Sequence, residues 1–182
     1  MSKQWNSSVQ FNLDNYLVRV VDATFGPSKS SGKPMITLTT EIVSPDTMNV
    51  AGEDYNVAGV KVRPMYIVTK SVDADGNVDV EKTSNIKTRL DELTKAFGLP
   101  AITDPENPDI EGFKGKIVWA LVGSETVERR KAPTAEQLAK GEKVGEVLTN
   151  PMTGQPLVNY FPKIQQIFGQ PSEDVIRQAT GK

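Results

Sequence analysis

The sequence of 182 residues contains no cysteine and no histidine. Without cysteine, disulfides, thiolate metal sites and cysteine nucleophiles are excluded. Without histidine, the chain lacks the usual general base at neutral pH, the commonest metal ligand and any Ser-His-Asp triad. A metal site would need carboxylates alone, and no converging set stands out. Most enzyme classes are therefore disfavoured.

The chain also lacks long hydrophobic runs and a strong net charge. No stretch of 18 apolar residues is present and residues 1–10 are polar, so we expect neither a membrane span nor a signal peptide, and a cytoplasmic location. The formal charge is −2, but residues 44–111 contain 13 acidic and 7 basic side chains, a balance of −6, which leaves +4 for the remainder. Such asymmetry can produce a local positive field.

Three β-strands are predicted in the first 70 residues. Residues 15–25 and 35–43 are rich in β-branched and aromatic side chains, and the Gly/Ser/Pro segment 26–34 between them is typical of a loop. Residues 44–56 are predicted to be a long connection, followed by a third strand over 57–69. A proline within that third strand cannot donate to a ladder, so the strand should be bent, bulged or at an edge.

The alternation of side chains predicts which faces are buried. In the first strand the alternation slips at Val21–Asp22, which is typical of a β-bulge. In the second, Ile36, Leu38 and Ile42 share one face and should point into the core.

One clear helix is predicted, over residues 84–97. Ser84 is a suitable N-cap and Gly98 a suitable end. Residues 73–77 before it form a predicted turn, and 78–82 a short hairpin arm. The apolar stripe of the helix consists of Ile86, Leu90, Leu93 and Phe97.

The C-terminal half is predicted to contain two further strands. Residues 113–124 are apolar on both faces, which indicates a central strand, and 157–168 form the last strand. Between them, residues 126–155 are polar and interrupted by Gly and Pro, and are predicted to be an insertion with a short helix at 134–140. Residues 171–180 are a candidate terminal helix.

This order, three strands, a helix and two strands, is that of the five-stranded Greek-key OB-fold barrel, so we predict a mainly β protein of that class. The predicted organisation is an N-terminal arm (1–14), an OB-fold domain (15–168, with the insertion 126–155) and a C-terminal tail or short helix (169–182).

Several short segments of the sequence resemble those of a family of phage-encoded single-stranded DNA-binding proteins with an OB-fold, which are found in replication and recombination gene clusters. The segments are Tyr16–Ala23, Ser28–Leu38, Phe97–Leu99, Phe113–Lys116 and Asn159–Phe161. The resemblance implies sequence-independent binding and protection of single-stranded DNA in phage DNA replication or recombination, without catalytic residues or a cofactor. It also implies that replication or recombination proteins are possible partners, in the cytoplasm of an infected host cell.

Binding an unpaired strand without sequence preference requires cations along the phosphates and aromatic faces on which bases stack. The sequence offers basic residues in predicted loops and on the outward face of predicted strands, each of which has solvated surface as its simpler interpretation. The DNA-binding candidates are Lys29, Lys33, Lys61, Arg63, Tyr66, Lys114, Lys116, Arg129, Arg130, Lys131, Tyr160 and Lys163.

The aromatic residues are harder to assign. Tyr66 follows a proline and fits either a stacking platform or the core, whereas Trp119 is expected in the core. Because neighbours on a strand face opposite ways, Phe161 is predicted to be buried and Tyr160 available. For Trp5, base stacking, subunit contact and pinning of the arm all remain open.

Two other classes of protein fit the same sequence. The first is an oligomerising protein-interaction or virion-associated β-barrel module that does not bind DNA. The second is a carbohydrate-active or hydrolytic β-protein that works with carboxylates, which is disfavoured because no paired acids stand out. The sequence does not indicate the oligomeric state or a preference for DNA over RNA.

Overall fold

The structure, a computed structural model, describes residues 1–73 and 75–181. Ala74, in the predicted turn, and Lys182, in the predicted tail, lie outside this range. The fold is mainly β, with eight strands, three α-helices and a 3₁₀ turn at Glu111–Phe113 in the described residues. The strands are β1 (Lys3–Gln4), β2 (Asp14–Pro27), β3 (Pro34–Ser44), β4 (Thr47–Val50), β5 (Glu53–Asn56), β6 (Lys61–Val68), β7 (Ile117–Glu128) and β8 (Val158–Gly169), and the helices are α1 (Val80–Ala96), α2 (Ala135–Ala139) and α3 (Glu173–Thr180).

The strands form two sheets. The larger is antiparallel, in the order β6-β3-β2-β7-β8, and the smaller has the order β1-β5-β4 with β1 parallel to β5. Strand β7 lies between β2 and β8, which confirms the prediction of a central strand. Its alternate residues Val118, Ala120 and Val122 are fully buried in the core, and the residues between them are half-buried on the other face as far as Leu121.

The predicted faces of the first two long strands are confirmed. The pairing of β2 with β3 shifts between Val20 and Asp22, as a bulge requires. Ile36, Leu38 and Ile42 are buried in the core of the five-stranded sheet. The alternate residues of β3 therefore face away from that core.

Residues 44–56, which the sequence predicted to be a long connection, contain secondary structure of their own. They contain the hairpin β4–β5, in which Met48 pairs with Tyr55 and Met48 is buried. A hairpin was missed because this segment is polar and its strands have four residues each. The third strand of the large sheet then begins at Lys61 rather than at residue 57, because Val57 is bonded to Asp46 and Gly59 turns the chain with a positive φ of 78°.

Helix α1 begins one turn earlier than predicted, because Asp79 and not Ser84 is its N-cap. The Asp79 side chain accepts a hydrogen bond from the Lys82 amide, and Glu81 adds a favourable negative charge in the first turn. The predicted arm at 78–82 is consequently wrong beyond Val78, which forms a single bridge with Val72. The predicted stripe is confirmed, since Leu90 and Phe97 are buried and Ile86 and Leu93 pack against the core.

The strand predicted from residue 113 begins at Ile117. Phe113 lies instead in the 3₁₀ turn, where its ring meets that of Phe97 edge-on at 5.2 Å between centroids. Both rings are fully buried. This aromatic pair joins the end of α1 to the start of β7.

The predicted insertion, residues 126–155, begins within β7, which continues to Glu128, and ends before β8 begins at Val158. Beyond β7, isolated bridges join Arg130 to Val147 and Thr149 to Pro156. The predicted short helix is confirmed as α2, and a capping box at Thr134 and Gln137 begins it. The segment is therefore a two-armed insertion in the β7–β8 hairpin. One arm contains α2, and the other is the turn between Thr149 and Pro156.

The chain termini are attached to the large sheet. Phe11 is buried in the core and Tyr160 donates its amide to the carbonyl of Ser7, so the N-terminal arm follows β8. The predicted terminal helix is confirmed as α3, whose N-cap is Ser172.

The two edge strands of the large sheet, β6 and β8, approach each other. Within the described ranges no ladder joins them, but Arg63 of β6 reaches side chains of both β7 and β8. The sheet is thus strongly curled. Among the helices that the structure describes, none is long and apolar enough to cross a membrane.

Candidate functional site

The outward face of β2, β3 and β6 carries small polar side chains around one exposed aromatic ring. Thr24, Thr37 and Tyr66 lie side by side in one cross-strand row. The Tyr66 side chain is 64% exposed. An exposed ring on a strand, with a threonine as its cross-strand neighbour, presents a flat apolar surface to solvent.

This row forms the floor of a concavity of about 570 Å³, which we call the open groove. The β2–β3 loop forms its wall, with Lys29 and Ser30, and Met35 lies at its end. No acidic residue is among its lining residues, which are Thr24, Phe25, Gly26, Pro27, Ser28, Lys29, Ser30, Met35, Thr37 and Tyr66. The open groove therefore combines an aromatic face with a cation.

The β2–β3 loop is a closed turn. The Ser28 amide donates to the Lys33 carbonyl and the Gly32 amide to the Ser28 carbonyl, each at 2.8 Å. Gly32 adopts a φ of 68°, a conformation that glycine accommodates without strain. In the described part of the chain no carboxylate is within ion-pair distance of Lys29, so its charge is uncompensated.

Lys33 does not line the open groove. It lies near the N-cap of α1, where it adds to the effects that hold the pKa of Asp79 below its ordinary value, after the backbone amide and ammonium group of Lys82. Of the two loop lysines, only Lys29 therefore faces Tyr66.

A second group of site residues lies where β6 meets β8, and we call it the seam cluster: Arg63, Glu125, Phe161 and Lys163. The Glu125 carboxylate accepts from Lys163 Nζ at 2.8 Å and lies 3.1 Å from Arg63 Nε. The Arg63 guanidinium carbon is 4.6 Å from the centre of the Phe161 ring, which is a cation–π contact. One carboxylate thus holds two of the predicted DNA-binding cations.

The environment of Glu125 keeps it ionised. The hydrogen bond from Lys163 is the largest effect that lowers the pKa of this carboxyl group, and the charges of Lys163 and Arg63 add to it. At neutral pH the seam cluster therefore contains two cations and one anion, a net positive charge.

Lys61 connects the seam cluster to the rest of the outward face. It pairs across the strands with Glu41, which is itself ion-paired with Arg19 of β2. It also lines a shallow groove with Arg63 and Phe161. Tyr66 and Lys61 are five residues apart on β6, about 17 Å along an extended strand. The open groove and the seam cluster are therefore two ends of one surface.

The remaining predicted cations lie outside both regions. Lys114 is bonded to Glu111 at 2.9 Å and lies 3.9 Å from Asp22, and these partners raise its pKa, the Glu111 hydrogen bond most of all. Lys116 is half-buried at the entry to β7, and its carbonyl accepts from the Val20 amide.

The basic triplet at residues 129–131 follows β7 and is exposed. Two of its members are paired with acids, Arg130 with Glu128 at 2.8 Å and Lys131 with Glu146 at 3.4 Å. The Arg129 amide and carbonyl are bonded to the backbone of Leu157 and Leu148. The triplet therefore belongs to the two-armed insertion and not to the open groove.

The predictions for the aromatic residues met different outcomes. Trp5 is half-buried, meets Phe11 edge-on at 5.7 Å and donates to the Val9 carbonyl, so it pins the N-terminal arm. Trp119 was predicted to lie in the core, but it is half-buried. It lies on the outward face of β7, where it pairs with Leu17 of β2. The contrast between a buried Phe161 and an available Tyr160 is wrong, since both are half-buried.

Sequence reasoning missed two members of the seam cluster, Glu125 and Phe161. They are neighbours across the β7–β8 ladder but 36 positions apart in the chain. The only sequence signal was the alternation within each strand, which does not reveal the partner strand or the approach of Arg63 from β6.

The outward face offers cations, hydroxyl groups and one exposed aromatic ring. In the described residues no group of three or more acidic side chains could hold a metal ion. Cations, an exposed phenol ring and threonine hydroxyls can together contact phosphates and flat aromatic groups. No protein-family model matches the chain, and neither does any curated protein.

Proposed function

We propose that this protein binds single-stranded DNA without sequence preference, on the outward face of an OB-fold barrel formed by the large sheet. The strand order β6-β3-β2-β7-β8, with α1 between β6 and β7, supports this assignment of the fold. So does the approach of Arg63 to the opposite edge strand. In such barrels the second and third strands and two flanking loops form the binding surface, and here these are β3, β6, the β2–β3 loop and the β7–β8 insertion.

The observation that carries the proposal is the position of Tyr66. Its exposed ring lies on the outward face of β6, in a groove whose wall contributes the uncompensated charge of Lys29. A base stacked on such a ring contributes about 1–3 kcal/mol, and it does so for every base because each has a π-face. A neighbouring ammonium group attracts the phosphate that follows the base.

The near-zero net charge is compatible with this function only if the positive potential is local. The open groove has no acidic lining residue, whereas the negative balance of the chain is in residues 44–111. In the proposed role, the protein coats and protects exposed single strands during phage DNA replication or recombination. That role derives from the resemblance of the sequence segments and not from the groove itself.

The test is a titration of the protein with an oligo-dT single strand, a duplex and an RNA of equal length, at two salt concentrations. We expect the single strand to bind best and its affinity to fall with salt. Replacing Tyr66 with Ala should weaken this binding by about 5- to 150-fold, the equivalent of one lost stacking interaction. Tyr66→Phe is the matched control, because it keeps the ring and should keep most of the affinity.

Two results would contradict the proposal. One is the absence of any mobility shift with the single strand at low salt; the other is equal binding by the Tyr66→Ala and Tyr66→Phe variants and the wild type. Indifference to DNA together with a stable ring or cage in light scattering would favour the oligomerising interaction module instead.

A further inference from the structure

The cations of the seam cluster differ from Lys29 because each is already ion-paired with a carboxylate of the protein, that of Glu125. Glu125 places one oxygen at 2.8 Å from Lys163 and the other at 3.1 Å from Arg63. A guanidinium and an ammonium group that converge on two oxygens of one anion are also suited to a phosphate, which carries the same kind of oxygens.

The cluster also has an aromatic component on the same surface. Glu125 and Phe161 are direct partners across the β7–β8 ladder, so their side chains lie on the same face. Arg63 lies over the Phe161 ring, and Lys61 lines the same shallow groove. The 4.6 Å cation–π contact therefore places the Arg63 guanidinium beside an aromatic ring on this surface.

We propose that the seam cluster is a second phosphate subsite of this surface, and that the Glu125 carboxylate occupies this subsite in the free protein. This inference rests on the proposed function. A phosphate of the bound strand takes the place of the carboxylate between Arg63 and Lys163, and Glu125 turns out to solvent. Because the carboxylate competes with the ligand, Glu125 weakens binding and sets a threshold for occupancy.

The competition is possible because the ion pairs are only partly buried. The side chains of Arg63, Lys163 and Glu125 are 40%, 49% and 33% exposed, although the Arg63 Nε atom itself is buried. Ion pairs between side chains of this exposure contribute little to stability, because water screens their charges. A multiply charged strand can therefore displace Glu125 without opening the core.

The variant that tests this is Glu125→Gln, which keeps the size of the side chain and removes its charge. Removing the competing carboxylate should tighten binding of oligo-dT. As the occupancy of this one-phosphate subsite rises, the salt slope should become more negative by up to about 0.7, the contribution of one single-strand phosphate contact. From about 200 to about 50 mM salt, the affinity ratio of variant to wild type should then rise by up to about threefold.

The matched control is Glu53→Gln, which also adds one unit of positive charge. Glu53 likewise pairs with a lysine, Lys3, and accepts from Tyr55, but it lies in the small sheet. This control should change the affinity slightly and leave the salt slope unchanged. A steeper slope for Glu125→Gln alone separates the release of a subsite from a general change in net charge.

A second variant covers the case in which Glu125→Gln fails to fold. Lys163→Ala leaves the Arg63–Glu125 pair in place and should make the salt slope less negative by up to about 0.7, if Lys163 contacts a phosphate in the complex. If Lys163 is only a structural partner of Glu125, the slope stays at the wild-type value.

The outcomes separate this inference from the proposed function. If the wild type does not bind the single strand, the proposed function fails and the inference fails with it. If the wild type binds, but Glu125→Gln binds more weakly or shows the slope of Glu53→Gln, only the second subsite is overturned, and Glu125 is then a structural link between β6, β7 and β8.

Discussion

The open groove and the seam cluster lie at two ends of one sheet face but present their charges differently. In the open groove, Lys29 has no acidic partner in the described chain, and Tyr66 is exposed. In the seam cluster, each cation has a carboxylate partner, and Phe161 is covered by Arg63. In the proposed function, the open groove receives a phosphate directly, whereas the seam cluster exchanges its carboxylate for one.

This difference follows from the strands that supply each region. The open groove is built on β2, β3 and β6, whose outward residues at this end are mostly threonines. The seam cluster links β6 to β7 and β8, and within the described residues no ladder joins β6 to either of these strands. The side chains of the cluster therefore meet across the curl of the sheet, where charges from different strands come within ion-pair distance.

The largest expected effect is a loss of stability when the buried core of the protein is disrupted. Replacing Phe113 with Ala removes one ring of the fully buried Phe97–Phe113 pair and should lower the free energy of unfolding by about 3–5 kcal/mol. Urea denaturation measures this loss. The control is Phe168→Ala, at a ring that is 51% exposed, where we expect a change within about 0.5 kcal/mol. An unchanged stability of Phe113→Ala would show that the regions do not depend on a common core.

The free energy of unfolding should also fall at alkaline pH, because the Tyr16 phenol is buried. Burial raises the pKa of this phenol to about 12, and the nearby Asp14 charge adds to the effect. Above about pH 10 the unfolded chain loses the phenol proton while the folded chain keeps it, so stability falls by about 1.4 kcal/mol per pH unit until about pH 12. Below about pH 10 the contribution is constant.

Urea denaturation at pH 10 and 11 tests this loss of stability. Lysines titrate in the same interval, so Tyr16→Phe is the control, and the wild type should lose about 1 kcal/mol more than this variant between these two pH values. The Tyr16 hydroxyl makes a single hydrogen bond of 3.3 Å to the Asn12 carbonyl, so the variant should fold. Equal losses in the two proteins would mean that another group causes the alkaline loss of stability.

The smallest effect distinguishes an unpaired cation from a paired one. Lys29→Ala should make the salt slope of single-strand binding less negative by about 0.7, which corresponds to an affinity ratio that changes about threefold between about 50 and about 200 mM salt. Lys114→Ala removes the same charge from a lysine already bonded to Glu111 and should leave the slope unchanged. Equal effects of the two variants would remove the distinction between the open groove and the paired surface.

Much of the fold could be predicted from local patterns. The inward face of β3, the bulge in β2, the apolar stripe of α1 and the central position of β7 all follow from the alternation or spacing of apolar residues. The predicted start of α1 was wrong because both Asp79 and Ser84 are residue types that cap helices. The sequence does not reveal which of them the preceding chain places in an extended conformation. The hairpin β4–β5 was missed because its stability depends on Met48 packing into a core formed by distant residues.

The candidate site was predictable in part. Lys29 and Tyr66 were identified as residue types suited to binding, and alternation around Val62 places Lys61 on the outward face of β6. The sequence could not predict which cations are paired with a carboxylate, because Glu125 is 62 positions from Arg63 and 38 from Lys163. Ion pairs between strands depend on register, and register is decided by the whole sheet.

The sequence by itself determined a mainly β chain without cysteine or histidine, with one long helix between strands and a basic turn ahead of β3. These properties depend on residue type and short-range spacing, which the chain carries in any conformation. Only the tertiary structure decided that Tyr66 faces solvent beside Lys29 and that Glu125 lies between Arg63 and Lys163. Both arrangements bring together side chains from different strands, and the curl of the sheet sets their distances.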